Sequence, residues 1–291
     1  MCAKNTLLPV QSLLKSGGKL LEISKPIVMG ILNATPDSFY NRGRHSSTDA
    51  LLQTAGKMLH EGATILDIGG ASTRQGALRI SAAEECDRIL PLLQSLHHQY
   101  PDAWLSVDTY NAETAAMAVA EGVSIVNDIS GGQMDTSMLE TVAALGVPYI
   151  GMHLQGTPET MQQDPHYIDV VAEVRDSLRL LCDRCEAAGI ADVIIDPGFG
   201  FGKTHTHNFQ LLNGMHTLRL LGKPILAGIS RKSMVWRTLD TTPDEALNGT
   251  TALHMIALQQ GASILRVHDV KEAVETIRLW EMMEAARGDS D

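Results

Sequence analysis

Residues 103–127, AWLSVDTYNAETAAMAVAEGVSIVN, contain one complete repeat of a strand, a loop and a helix, followed by the next strand. Ala103–Val107 is a short apolar run rich in strand-forming residues, and a second such run follows at Ser124–Asn127. Between them, Ala112–Glu121 has helical composition and ends at Gly122, a residue type that commonly closes helices. The segment therefore predicts a β/α unit.

The same unit recurs along the chain. The remaining apolar runs are Ile27–Leu32, Thr64–Ile68, Pro148–Met152, Asp192–Asp196, Pro224–Gly228 and Ser263–Val267. Strict alternation of strands and helices predicts a parallel sheet covered by helices. Eight units favour a closed (β/α)₈ TIM barrel, an α/β fold, over the alternative of an open doubly wound sheet. No linker rich in Pro, Gly or Ser interrupts the pattern, so we expect a single domain over residues 1–291.

Three local patterns add detail. Residues 6–25 precede the first barrel strand, and we expect this extension to form a small cap or hairpin under the barrel. Ser81-Ala-Ala-Glu84 has the pattern of a capping box and predicts the start of a helix. The last helix carries Ile277, Trp280, Met282 and Met283, which suit either a dimer face or packing onto the barrel.

Composition excludes several classes of partner. The chain has 23 Lys and Arg against 34 Asp and Glu, a net charge of −11, which argues against nucleic acid or an anionic membrane as a partner.

The N-terminus lacks the pattern of a signal peptide, so we expect a cytoplasmic protein. Four cysteines imply no disulfide framework, and Cys182 and Cys185 read as two thiols within a helix. The histidines show no metal-binding spacing, and most read as surface or loop residues.

Polar side chains follow nearly every predicted strand. In a TIM barrel the carboxyl ends of the strands form one rim, where the active site lies. Asp108, Asn127 and Asp196 supply two carboxylates and an amide there, a set that can hold a flat heterocycle with adjacent N–H donors and a carbonyl. Taken singly, each could instead cap the helix that follows it. Three of them at strand ends favour the binding of a heterocycle.

A second group at the rim is cationic. Arg74, Lys232, Arg266 and His268 suit a phosphate or pyrophosphate, and the alternative for each is a salt bridge to a rim carboxylate. The loop that contains Thr73 could add hydroxyl and backbone donors. Asn33 offers a neutral oxygen that could bind Mg²⁺ together with phosphate oxygens.

Asp196–Lys203, DPGFGFGK, superficially resembles a phosphate-binding glycine loop. It is not a Walker A sequence, because its spacing differs and no Lys-Ser or Lys-Thr pair closes it. Phe199 and Phe201 could each stack on a planar ligand or fill the core below the rim.

Eight ordered motifs resemble those of the dihydropteroate synthase family. Residues 29–39, MGILNATPDSF, are similar to the first signature of that family, and residues 67–74, DIGGASTR, are similar to the second. The others are SVDT at 106–109, NDISGG at 127–132, MHLQGTP at 152–158, DPGFGFGK at 196–203, SRKS at 230–233 and RVHD at 266–269. The resemblance covers about residues 22–285.

The resemblance implies a homodimeric TIM barrel in which p-aminobenzoate displaces pyrophosphate from 6-hydroxymethyl-7,8-dihydropterin diphosphate, without a nucleophile from the protein. Asp108, Asn127, Asp196 and Lys232 would then hold the pterin. Asn33, Arg74, Arg266 and His268 would hold the pyrophosphate, with Mg²⁺ at Asn33. Thr73, Phe201 and Ser233 would help to form the p-aminobenzoate pocket, the site that sulfonamides target in this family.

Two stretches depart from the family pattern. Tyr40-Asn-Arg-Gly43 stands where the family usually has Ser-Asp-Gly-Gly, which removes a carboxylate from the first loop. Gln75 stands where the family usually has proline, so the second loop loses a residue that fixes φ. Two rival hypotheses are a pterin-binding methyltransferase, which would not need the cations of the SRKS and RVHD motifs, and a pterin-binding paralogue without turnover.

Overall fold

The computed structural model describes residues 11–34, 44–71 and 79–288. An antiparallel hairpin comes first, formed by β1 (Leu13–Ser16) and β2 (Lys19–Glu22). The strands that follow are β3 (Ile27–Asn33), β4 (Ile65–Gly69), β5 (Trp104–Asp108), β6 (Ile125–Asp128), β7 (Tyr149–Met152), β8 (Val193–Asp196), β9 (Leu226–Ala227) and β10 (Ile264–Val267). The expected hairpin is thus present within residues 6–25.

The eight later strands form one parallel sheet. Their order is β8-β7-β6-β5-β4-β3-β10-β9. Strands that follow each other in the chain therefore lie side by side, except for β8 and β9, which stand at the two ends of this order. A parallel bridge between Ile195 and Ile225 joins β8 to the segment that leads into β9 and brings these two edges together. The sheet therefore curves into a barrel, which confirms the TIM-barrel prediction over an open sheet.

Helices follow each barrel strand on the outside. They are α1 (Arg44–His60), α2 (Ala82–Gln99), α3 (Ala112–Ala120), α4 (Met138–Leu145), α5 (Val170–Ala188), α6 (His205–Gly214), α7 (Ser233–Trp236), α8 (Leu247–Gln259) and α9 (Val270–Gly288). Eight helices were expected, and the additional one in the described ranges is the four-residue α7 after β9. Gly146 and Gly189 close α4 and α5 with φ of 66° and 90°, a conformation that glycine adopts without a steric cost.

The start of α2 agrees only in part with the predicted capping box. Ser81 Oγ accepts a hydrogen bond from the backbone N–H of Glu84 at 3.2 Å, as predicted. The Glu84 carboxylate accepts from Arg88 at 2.6 Å, one turn further along the helix. An ion pair at this spacing competes with the return bond of a capping box.

The interior of the barrel changes from apolar to polar along its axis. At the amino-terminal end, Leu14, Leu21 and Ile23 from the hairpin region close the barrel against a ring of inward side chains. That ring contains Met29, Ile65, Trp104, Ile125, Ile150, Ile194, Leu226 and Ile264. Side chains of a strand alternate between its two faces, so residues two or four positions later also point inward. Those later positions hold the polar residues of the rim.

The remaining sequence predictions concern the surface. Ile277 is buried, and Trp280 packs against the core, whereas Met282 and Met283 are 70% and 41% exposed. Burial raises the pKa of the Cys182 and Cys185 thiols in α5, so both are protonated at neutral pH. No helix within the described parts of the chain is long and apolar enough to cross a lipid bilayer.

Candidate functional site

Arg266 lies between two carboxylates at the mouth of the barrel. Its Nε donates to Asp67 Oδ2 at 2.6 Å, and its Nη2 donates to Asp108 Oδ2 at 2.6 Å. Asp67 is fully buried and Asp108 nearly so, whereas the guanidinium of Arg266 is partly exposed. The salt bridges to rim carboxylates that were given as the alternative are therefore present at Arg266, and its Nη1 is left to bind an anion.

Asp67 also binds the side-chain amide of Asn127, one of the three residues predicted to hold a flat heterocycle. The Nδ2 atom of Asn127 donates to Asp67 Oδ2 at 2.9 Å, so one buried oxygen accepts from both Asn127 and Arg266. This bond fixes which way the amide faces, and it leaves the Asn127 carbonyl oxygen to accept from a ligand. Asp67 had no predicted role. A carboxylate within the apolar run Thr64–Ile68 is nevertheless unusual, because a buried charge needs a partner, and this could have marked Asp67 as a site residue.

Asp196 and Lys232 flank a gap above Gly228. A methyl group built on Gly228 would lie 3.6 Å from Lys232 Nζ and 3.9 Å from Asp196 Oδ2. Asp196 Oδ1 accepts from the backbone N–H of Gly198 at 2.7 Å, a local turn contact, whereas the helix that follows is capped by Thr204 and not by Asp196. Glycine at 228 thus leaves free space between an acid and a base at the barrel mouth.

Filling that gap should weaken ligand binding without harming the fold. We expect the Gly228→Ala variant to raise the KM for the ligand that this mouth binds about tenfold or more, since a misfit of one carbon in a pocket is worth ~1–3 kcal/mol. Its neighbours lie at ordinary contact distances, so the melting temperature should stay close to that of the unmodified chain. Steady-state kinetics and thermal denaturation check both outcomes, and an unchanged KM would contradict the position of the gap.

Burial shifts the ionisation of these groups. It raises the pKa of Asp108 to about 7 even though Arg266 opposes the shift, and it raises the pKa of Asp196 in the same direction against the charge of Lys232. Burial lowers the pKa of Lys232 to about 8, and Asp196 limits that fall. Near neutral pH the site can therefore exchange protons with a ligand that carries N–H and carbonyl groups.

His268 lies at the edge of the same mouth. Its Nδ1 is 3.0 Å from Ser230 Oγ, and its backbone N–H donates to the same oxygen at 3.2 Å. Desolvation of the ring among the strand ends, with the charge of Arg266 nearby, lowers the pKa of His268 to about 4, although the side chain reaches solvent. His268 is therefore a neutral hydrogen-bonding group at pH 7, and the expectation of a cationic cluster rests on Lys232 and Arg266.

The two phenylalanines of the β8 loop differ in position. Phe199 is fully buried in the core, whereas Phe201 is half-buried and its ring centroid lies 4.7 Å from Lys232 Nζ. Lys232 Nζ also donates to the Phe199 carbonyl oxygen at 2.5 Å. Ser233 follows Lys232 as the first residue of α7 and is half-buried. Phe201 thus lies beside the Lys232 ammonium, and Ser233 begins the helix that follows Lys232.

Asn33 lies on the other side of the mouth, at the end of β3. A methyl group built on Gly69 would lie 3.9 Å from Asn33 Oδ1 and 3.8 Å from Asp108 Oδ2, so both oxygens border Gly69. The side chain of Asn33 is exposed. Two further predicted site residues, Thr73 and Arg74, fall outside the described residues, as do both departures from the family pattern.

Two more buried groups support the rim, and the sequence analysis gave neither a role. Glu85 in α2 accepts from Thr109 Oγ1 and from Asn111 Nδ2, each at 2.8 Å, and so holds the turn that follows Asp108. Lys203 Nζ lies 2.9 Å from Nδ1 of His153, which is buried rather than a surface residue. Neither contact has a signal in sequence, because the partners lie 24 or more residues apart.

Taken together, the mouth offers acceptors for a donor-rich heterocycle beside two cations that can hold an anion. Asp108, Asn127 and Asp196 come from different strands, yet Arg266 and Lys232 link them into one cluster. Within the described residues, no group of three or more His, Cys, Asp or Glu side chains is arranged to hold a metal ion alone.

Comparison with known proteins identifies the same chemistry. A family model described as pterin binding enzyme matches residues 29–268. The dihydropteroate synthase of Escherichia coli K12 is 44% identical over 272 residues, which span 93% of this chain and 96% of that protein. The counterpart from Bacillus subtilis is 38% identical over 261 residues and 89% of each chain.

Solved structures agree with the sequence relatives. The dihydropteroate synthase of Xanthomonas albilineans bound to 4-aminobenzoic acid superposes with a TM-score of 0.88 at 40% identity, and covers 94% of this chain and 98% of its own. The same enzyme in complex with 7,8-dihydropteroate gives a TM-score of 0.83 at 36% identity, with 94% and 99% covered. The fold, the rim cluster and these relatives together place this chain in the dihydropteroate synthase family of pterin-binding transferases.

Proposed function

We propose that this enzyme joins p-aminobenzoate to 6-hydroxymethyl-7,8-dihydropterin diphosphate and releases pyrophosphate and 7,8-dihydropteroate. The observation that carries the proposal is the cluster in which Asp108, Asn127, Asp196, Lys232 and Arg266 meet at one end of the barrel. One side of this cluster offers acceptors, and the other offers positive charge. The relatives bound to 4-aminobenzoic acid and to 7,8-dihydropteroate support the choice of substrates.

The pterin would bind against the acceptors. A carboxylate accepts two adjacent N–H groups, so Asp196 and Asp108 suit the amino-pyrimidine edge of a pterin. Asn127, held by Asp67, presents its carbonyl oxygen, and Lys232 donates to a ring acceptor. Because these groups are buried and already oriented, little ordering is needed when the ligand binds.

The diphosphate would bind against the cations. Two nitrogens of Arg266 are engaged by Asp67 and Asp108, and its remaining Nη1 can donate to a phosphate oxygen. In the tautomer in which Ser230 Oγ donates to Nδ1, the neutral His268 ring carries its proton on Nε2, which then serves as the second donor. Arg74 in the second loop would supply further positive charge, as the family motif implies.

The residues at the mouth fit a bound Mg²⁺ ion. Asn33 offers an exposed neutral oxygen, which suits an ion that takes few protein ligands and completes its shell with phosphate oxygens and water. When bound, Mg²⁺ would neutralise charge on the leaving pyrophosphate. Asn33 would hold it on the side of the mouth that also contains Asp108.

The displacement would follow an SN1-like course. The bond between the pterin methylene carbon and the diphosphate oxygen breaks first, and its electron pair leaves with pyrophosphate. The pterin ring delocalises the positive charge, and the buried Asp196 carboxylate beside it stabilises that charge. The amine of p-aminobenzoate then forms the carbon–nitrogen bond and loses a proton to solvent. No covalent intermediate with the protein is required.

The amine would lie between Thr73, Phe201 and Ser233. Phe201 offers a half-buried ring next to Lys232, which suits an aromatic acid. The proposal includes no nucleic-acid or membrane partner. It includes a homodimer, for which the exposed Met282 and Met283 of α9 supply an apolar surface.

Mixing the two substrates with the purified protein tests this function. We expect pyrophosphate release that requires both substrates, that stops when EDTA removes Mg²⁺, and that returns when Mg²⁺ is added back. Mass spectrometry should identify 7,8-dihydropteroate as the second product. Tight binding of the pterin diphosphate without release would instead indicate a pterin-binding paralogue, and transfer of a methyl group from methyltetrahydrofolate would indicate a methyltransferase.

A further inference from the structure

In the loop after β8, each backbone carbonyl oxygen from residue 198 to residue 202 accepts a hydrogen bond from a side chain. Such complete coverage is unusual for a surface loop, where water normally satisfies the backbone. Lys203 donates to the oxygens of Gly198 and Phe201, Lys232 to Phe199, Gln162 to Gly200, and Tyr167 to Gly202. The loop is therefore held in one shape by side chains from several parts of the protein.

The shape of this loop depends on glycine at alternate positions. Gly198 and Gly202 have φ of 69° and 59°. A Cβ atom on Gly198 would lie 2.0 Å from the carbonyl oxygen of His153, and one on Gly202 would lie 2.5 Å from the carbonyl oxygen of Gln155. The loop thus packs directly against the backbone that follows β7.

Lys203 makes three contacts from a buried position. Its Nζ lies 2.9 Å from Gly198 O, 3.0 Å from Phe201 O and 2.9 Å from His153 Nδ1, and only 3% of the residue is exposed. Burial lowers the pKa of Lys203 to about 7. When it is protonated, its ammonium group has three N–H donors, and each donor has an acceptor. A buried ammonium with no salt bridge to a carboxylate is costly unless such contacts compensate for the lost hydration.

The Phe201 carbonyl is the contact with a functional consequence. Lys203 holds the backbone of Phe201 from one side, while Lys232 lies over the Phe201 ring from the other, at 4.7 Å. Two lysines of different loops therefore contact Phe201, Lys203 at its backbone carbonyl and Lys232 at its ring, and together they fix its position. Loss of the Lys203 contact would free Phe201 to move while Asp108 and Asn127, on other strands, stay in place.

We propose that Lys203 is a positioning residue which sets the p-aminobenzoate side of the site by fixing the backbone of the β8 loop at Gly198 and Phe201. The inference rests on the proposed function, because it deepens the role of Phe201 in binding the amine. Lys203 itself touches neither substrate. It acts through Phe201, whereas Lys232 acts directly.

The Lys203→Met variant tests the proposal, because methionine keeps an unbranched side chain only one atom shorter than lysine and removes all three donors. We expect the KM for p-aminobenzoate to rise about tenfold or more, since a shift of ~1 Å in a positioning group can cost up to ~10²-fold. The KM for the pterin diphosphate should rise by clearly less than the KM for the amine, because Asp108 and Asn127 lie on other strands and only Asp196 and Lys232 contact the β8 loop. A purely structural defect would lower the fraction of active enzyme and leave both KM values unchanged.

Two further variants sharpen the result. Tyr167→Phe removes one contact to the same loop, at Gly202, and is expected to leave the KM for the amine unchanged. In the double variant Lys203→Met/Phe201→Leu, the KM for the amine should not exceed that of Phe201→Leu alone, because both changes act through one residue. If Lys203→Met does not fold, Lys203→Gln replaces it. Glutamine is one atom shorter than lysine and keeps two donors, and we again expect a larger rise in the KM for the amine than in the KM for the pterin diphosphate.

Two outcomes overturn the proposal while the function stands. One is an unchanged KM for the amine in a folded Lys203 variant, and the other is an equal rise in both KM values. Absence of pyrophosphate release by the unmodified protein is a separate result, which rejects the proposed function itself.

Discussion

The Lys232→Ala and Asp196→Asn variants should each release pyrophosphate at least ~10²-fold more slowly than the unmodified enzyme, because each loses charge stabilisation that is made in the transition state. Lys232 contributes a half-buried cation beside the gap above Gly228, and Asp196 contributes the buried carboxylate on the opposite side. Alanine leaves the gap without its donor. Asparagine keeps the shape of Asp196 and removes its negative charge.

Both variants should remain folded. Lys232 is half-buried and its Nζ donates to a loop carbonyl, so its loss affects the rim and not the apolar ring below it. Circular dichroism and a melting curve verify this, and the rate comes from a pyrophosphate assay with both substrates saturating. Lys271→Ala is a matched control, because Lys271 forms only an exposed pair with Glu275 in α9. Near-normal rates in either site variant would refute the assigned roles.

The Asp67→Ala variant should be the most strongly destabilised of the rim variants. Asp67 is fully buried and accepts from both Arg266 and Asn127, so its removal takes one of two carboxylate partners from the guanidinium and the carboxylate partner from the amide. Breaking a buried ion pair in this way costs about 3–5 kcal/mol. Urea unfolding should therefore show a fall of that size in the apparent free energy of unfolding.

Catalysis should fall together with stability in this variant. Without Asp67, Asn127 can rotate its amide and Arg266 can turn fully toward Asp108, so the pterin acceptors lose their fixed orientation. The Asp183→Ala variant is the control, because Asp183 pairs with Arg179 on an exposed face of α5 and should change stability by less than ~1 kcal/mol. A fall below ~1 kcal/mol for Asp67→Ala as well would show that the buried pair contributes no net stability.

Much of the fold was predictable because its signals are local. An apolar run of five residues, an amphipathic stretch and a closing glycine are each read within about 25 residues, and they recur along the chain. The positions of Asp108, Asn127 and Asp196 at strand ends follow from the same pattern. Since parallel strands end at one rim, their convergence could be expected before any coordinates existed.

The pairing of charges at the rim was not predictable in the same way. Arg266 contacts Asp67 and Asp108 across 199 and 158 residues of sequence, and nothing local to Arg266 selects these carboxylates over a phosphate. The ionisation of His268 likewise depends on desolvation and on a neighbouring guanidinium. Both are properties of the assembled mouth.

The β8 loop shows the difference between what local sequence patterns predict and what contacts between distant segments decide. By itself the sequence determined the closed barrel and the placement of Asp108, Asn127 and Asp196 at strand ends, because strand period and helix ends are short-range properties. It left Phe199 and Phe201 equivalent and gave no role to Lys203. Only the tertiary structure decided that Phe199 is core, that Phe201 faces Lys232, and that Lys203 holds the loop, since burial and donor–acceptor distances arise when distant segments pack together.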